Sequence, residues 1–168
     1  MHHSFADSPG LAALRDELTG ALIGLARTCA SHPRTQSTDA ALTAALRACA
    51  LSDDEATLQA HIDRIHAEKA AAAPDCATCM ARCGNTDDYD MCALWTAEPD
   101  VRAAKALVLF SLRGMAARLS DSPDEPCLRF LYDALALLGY DMAADDILSY
   151  ACKILGDVPD LRLSERQE

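Results

Sequence analysis

Leucine dominates the apolar residues of this chain and recurs at intervals of three and four. Leu11, Leu14, Leu18, Leu22 and Leu25 lead to Cys29 along one helical face, and similar stripes follow further on. There are 23 Leu against three Val and five Ile, and aromatic residues make up only 5%. Leu and Ala favour helix, whereas the β-branched and aromatic residues that favour strands are scarce. Gly and Pro together are about 8% of the 168 residues, below the roughly 12% of average usage, which disfavours a turn-rich β protein. The expected fold is all-α: an antiparallel bundle of about six helices with short connections.

Start and stop signals divide the chain into those helices. Ser8 caps the first, with Pro9 at its first helical position, and His32-Pro33 ends it. Thr38 is expected to cap a second helix carrying Leu42, Leu46 and Cys49. Ser52 and Glu55 have capping-box spacing and open a third through Leu58, Ile62 and Ile65, closed by alanines and Pro74. Thr96 caps a long helix with Pro99 in its first turn and a buried stripe of Val101, Val108, Leu112, Met115 and Leu119. After a turn at Asp121 to Pro126, Cys127 to Leu138 is helical and Gly139 stops it. Asp141 is expected to cap the last helix, with Ile147, Leu148, Cys152 and Leu155 inside and Gly156 at its end. No repeat or linker is visible. The expectation is one domain over residues 1–168, with a core at about 9–156, a loose charged tail at 157–168 and one irregular insert at 75–94.

Charge and length exclude several functions. Acidic residues number 26 and basic ones 15, a net charge of −11. Nucleic-acid binding rests on Lys and Arg neutralising phosphates, and docking on an anionic membrane needs the same sign. Neither partner is expected. The longest largely apolar run, Ala106 to Leu112, has seven residues, too few for a transmembrane helix. Met1-His2-His3-Ser4-Phe5 has neither the basic nor the apolar region of a signal peptide, so a cytoplasmic location is expected. There thiols stay reduced.

Cysteine is the unusual residue, with eight copies. Cys29, Cys49, Cys127 and Cys152 each take an apolar place in a helical stripe, where free cysteine packs as a small hydrophobe. The others gather in Cys76-x-x-Cys79-x-x-x-Cys83-Gly84, with Cys92 further on. Thiolates are soft ligands, and three or four converging sulfurs suit zinc or an iron–sulfur cluster. Cys76, Cys79 and Cys83 are candidate metal ligands, with Cys92 the candidate fourth. Two alternatives stay open. The pair could be redox-active, or offsets of zero, three and seven could put the three sulfurs on one face of a short helix, where they only pack.

Other chemistry is poorly provided for. Asp87, Asp88 and Asp90 lie in an Asn85–Asp90 run that lacks the glycine and late bidentate Glu of a calcium loop, and reads as capping and turn chemistry. A di-iron site needs two Glu-x-x-His motifs on different helices; the chain offers only Asp63-x-x-His66, and His61 and His66 do not share a helical face. No Gly-rich phosphate loop, nucleophile elbow or Ser-His-Asp order is present.

The stretch Ala106-Leu-Val-Leu-Phe-Ser-Leu-Arg-Gly-Met-Ala-Ala-Arg118 resembles a helix of the hybrid-cluster proteins, also called hydroxylamine reductases or prismane proteins. Leu128 to Tyr140 and Ala143 to Gly156 continue that likeness in order. Leu11 to Ala26 is similar to the family's first bundle helix, and Asp39 to Ala70 to the next pair. The resemblance implies a small relative of the helical domain only. The family's N-terminal cluster motif has no counterpart, since no cysteine precedes Cys29, and neither have the α/β domains that hold the hybrid cluster. No cluster ligand is therefore carried over to a position here. The insert Cys76 to Tyr89 looks like that of small stand-alone relatives, often labelled hydroxylamine reductase by similarity.

The expected function is a small redox-associated protein that binds an iron–sulfur cluster or zinc through the Cys76 segment. It would transfer electrons or assist a larger reductase, with a redox protein or a second copy as partner. The alternative is a non-catalytic interaction or dimerisation module whose cysteines are structural. A third reading, hydroxylamine reduction by this chain alone, needs a cofactor site for multi-electron chemistry that the sequence does not display.

Overall fold

The computed structural model describes residues 8–72 and 98–157. Within them lie six helices: α1 (Pro9–Ser31), α2 (Gln36–Leu51), α3 (Glu55–Ala72), α4 (Pro99–Ala116), α5 (Glu125–Leu138) and α6 (Ala144–Asp157). No described residue is in a strand, so the fold is all-α. No helix among them is long and apolar enough to cross a membrane. The insert at 75–94, with Cys76, Cys79, Cys83, Cys92, Asp87, Asp88 and Asp90, lies outside the described residues, as do Pro74 and Thr96.

α1 is the central helix and packs against α2, α3 and α5. Every residue from Leu18 to Ala26 is buried, which suits a helix surrounded on all sides. α4 packs against α2, α5 and α6, and extends the bundle away from α1. One apolar cluster runs through all six helices, with Leu18, Leu22, Leu42, Leu58, Ile62 and Leu131 at its centre. Leu112 is 1% exposed, as its stripe required, and Val101, Met115 and Leu119 are partly buried against the same core.

Several helix ends differ from expectation. Ser8 does cap α1, its hydroxyl accepting from the Leu11 amide at 3.2 Å. The cap of α2, however, is Thr35 rather than Thr38. Thr35 Oγ1 accepts from the Thr38 amide at 3.2 Å, and the buried Thr38 hydroxyl lies 2.8 Å from it. At α3 the acceptor is Asp54 rather than Ser52, taking the Thr57 amide at 2.9 Å. Ser52 instead accepts from the Asp54 amide, and Glu55 receives the Ser8 hydroxyl at 3.3 Å. α5 begins two residues earlier than the turn residues suggested, with Asp124 as cap and Pro126 inside its first turn. α6 starts at Ala144, beyond Asp141, and runs one residue past Gly156.

Gly139 follows α5 as expected but not for the expected reason. Its φ is −89°, open to any residue. A Cβ there would sit 2.5 Å from Arg27 Cδ and 3.0 Å from Ile23 Cγ2, so the close approach of these α1 side chains favours glycine.

Candidate functional site

The cysteines separate into two groups. Those at 76, 79, 83 and 92 have the spacing of ligands and lie outside the described residues. The other four stand singly in the bundle. Cys49 is buried, with Sγ 3.5 Å from Thr19 Oγ1, while Cys29 and Cys127 are partly buried against the core. Cys152 departs from its expected place and is exposed, as is Leu148 at 39%. Among the described helices α6 packs chiefly against α4 and α5, which leave this part of its stripe uncovered. Among the described residues, no three His, Cys, Asp or Glu side chains converge as a metal would require.

A polar cleft of about 430 Å³ lies between the end of α1, the following loop and α5. Cys29, His32, Arg34, Arg129, Tyr132 and Asp133 line it. The connections in its wall were not legible in the sequence, because Tyr132 lies more than ninety residues beyond Arg34 and Asp39. Arg34 lies over the Tyr132 ring, 4.9 Å from its centroid, and forms ion pairs with Glu125 and, at 3.8 Å, with Asp39. The Tyr132 hydroxyl donates to Asp39 Oδ1 at 2.9 Å. These contacts tie the α1–α2 connection, α2 and α5 together through one guanidinium and one phenol.

Such a wall does not activate its cysteine. Burial, reinforced by the Asp39 carboxylate, pushes the Cys29 thiol from about 9 up to about 11. Arg34 works against this without reversing it. The single proton of Tyr132 is directed at Asp39, and burial with that bond raises the phenol as well. A thiol held protonated at neutral pH is a poor nucleophile and a poor metal ligand. Burial likewise raises Asp133 despite Arg129 and Arg34. The cleft's described chemistry is that of a structural lock.

Two further polar ties stabilise helix ends. Arg15 on α1 donates to the carbonyls of Cys49 at 2.5 Å and Ser52 at 2.6 Å, satisfying the end of α2. Lys105 on α4 is buried and donates from Nζ to the Tyr140 carbonyl at 3.0 Å, just beyond α5. Burial lowers its pKa, against the attraction of Asp141. A cation at a helix C-terminus complements the dipole.

A second concavity is almost wholly apolar. It holds about 140 Å³ between α4, α5 and α6, with Leu107, Leu112, Phe130, Leu137, Leu148 and Cys152 in its walls. Beside it Leu107 and Phe110 are 59% and 78% exposed. Comparison with known proteins gives no match: no family model, no curated protein and no solved structure corresponds to the chain.

Proposed function

We propose that the chain is a small helical scaffold carrying a thiolate-bound metal or iron–sulfur centre, serving electron transfer or assisting a larger reductase. Cys76, Cys79 and Cys83 would be its ligands, with Cys92 the fourth. The observation supporting this is the contrast in cysteine placement. Four cysteines fall within residues 76–92 at ligand spacing, while Cys29, Cys49, Cys127 and Cys152 are dispersed singly. The raised pKa of Cys29 also makes the bundle's own cleft a poor rival for that chemistry.

Anaerobic purification, metal analysis and an absorption spectrum test the reading. An iron–sulfur centre gives brown protein with sulfur-to-iron charge-transfer bands that air bleaches. Zinc gives colourless protein with about one metal per chain. Metal-free protein after metal-supplemented anaerobic expression, with these thiols slow to alkylate, would sink the proposal.

A second reading, a non-catalytic interaction module, is favoured by one specific observation. Leu107 and Phe110 stand exposed beside the apolar groove, with Leu148 and Tyr150 39% and 43% exposed on α6. Large exposed apolar patches mark docking sites.

A further inference from the structure

The outward face of α4 has a regularity that its inward packing does not explain. Ala103, Leu107, Phe110, Gly114 and Ala117 are all exposed and follow one another at intervals of four, three, four and three. That spacing keeps them within about 40° of a single line along the helix, opposite the buried Leu112. It is the repeat of a helix–helix seam. Gly114 is the telling member. A Cβ there would meet no described residue within 4 Å, so the described bundle does not require glycine. In a helix interior glycine costs roughly 0.5–1 kcal/mol relative to Ala. Close approach of another helix from outside would account for it.

We propose that this face joins two copies of the chain, with α4 packed antiparallel against α4 of the second copy. The proposal deepens the interaction reading and rests on it. The partner is identified by charge complementarity along the helix. Asp100 lies in the first turn of α4, about 60° to one side of the seam, and Arg118 in the turn just beyond the last residue of α4; both are exposed. A two-fold axis between Val108 and Leu109 keeps that side aligned in both copies. Each Asp100 then lies within one residue's rise of the partner's Arg118, twice by symmetry. The same axis places Leu107 opposite the partner's Phe110, and Ala103 opposite the partner's Gly114. Large side chains fill the middle layers, and small ones let the helix ends approach. None of the five seam residues is charged, so the net charge of −11 resides elsewhere, where salt screens it over about 8 Å at physiological ionic strength. Arg102 and Arg113 lie about a quarter turn from the seam, off the contact.

Sedimentation equilibrium of the full chain tests this. The expected species has twice the 18.0 kDa chain mass. Phe110→Glu should give a monomer with an unchanged far-ultraviolet spectrum, since its side chain is already exposed. Asp100→Lys and Arg118→Glu should each weaken the dimer severalfold, and the double variant should restore it. A dimer unaffected by Phe110→Glu overturns the proposal, and failure of the double variant to restore pairing overturns the antiparallel arrangement. A wild-type chain that stays monomeric also overturns it. In that case a hydrophobic dye judges the wider interaction reading. Dye binding lost on Phe110→Glu leaves a docking face for another partner, whereas no binding removes that reading too.

Discussion

Tyr132 has one hydroxyl proton, and Asp39 takes it. Burial and the Asp39 carboxylate outweigh Arg34 and the Tyr132 hydroxyl at Cys29, and its thiol is raised to about 11. The unfolded thiol titrates near 9, so between these values the folded chain holds more protons than the unfolded one. This contribution is fully present below pH 9 and is lost as pH rises through about 11. Discounted for partial exposure, it amounts to roughly 1–2 kcal/mol. Cys29→Ala should flatten the fall in stability measured by urea unfolding across that range, and an unchanged slope would place its origin elsewhere. Leu112 gives a second test at this scale. At 1% exposure it has no room to adjust, and Leu112→Ala should cost roughly 2–5 kcal/mol by the same measurement. A loss below about 1 kcal/mol would contradict its place in the core.

At the level of elements, the ends of helices are where local and tertiary demands compete. Thr35 and Thr38 both carry the right hydroxyl for a cap, and spacing alone does not choose between them. Thr38 is buried, so its side chain belongs inside and the cap moves to Thr35. Thr35→Ala should cost about 1 kcal/mol, read as a lowered unfolding midpoint at unchanged denaturant slope. The periodic faces were legible because a helix must bury its stripe, which Leu18, Leu58, Leu112 and Leu131 all do. The same rule failed for Leu148 and Cys152, because it takes for granted a neighbour that α6 does not find among the described helices. The polar cleft was illegible for a different reason. Arg34 and Asp39 carry no recognisable motif, and Tyr132 reaches them only where α5 packs beside the α1–α2 connection. The outward stripe of α4 was readable as a pattern, but its meaning depends on knowing that Leu112 occupies the opposite, buried side.

For the whole molecule, the question is whether the cysteine segment builds the fold or is carried by it. Small metal-dependent domains fold on their metal because they lack an adequate core. Here the described helices share one apolar cluster reaching from Leu11 to Ile147. Arg15 and Lys105 satisfy helix ends across it, and Arg34 with Tyr132 locks the α1–α2 connection and α2 to α5. None of those contacts uses Cys76, Cys79, Cys83 or Cys92. A chain of this size buries roughly two-thirds of its unfolded surface, enough to fold without a metal clip. Replacing Cys76, Cys79 and Cys83 together by Ser should therefore abolish metal content while leaving the helical far-ultraviolet signal and a cooperative melt. Chelation of the wild-type protein should have the same effect. Collapse of the melt on either treatment would mean that the segment nucleates the bundle, and the scaffold reading would have to be replaced by metal-coupled folding.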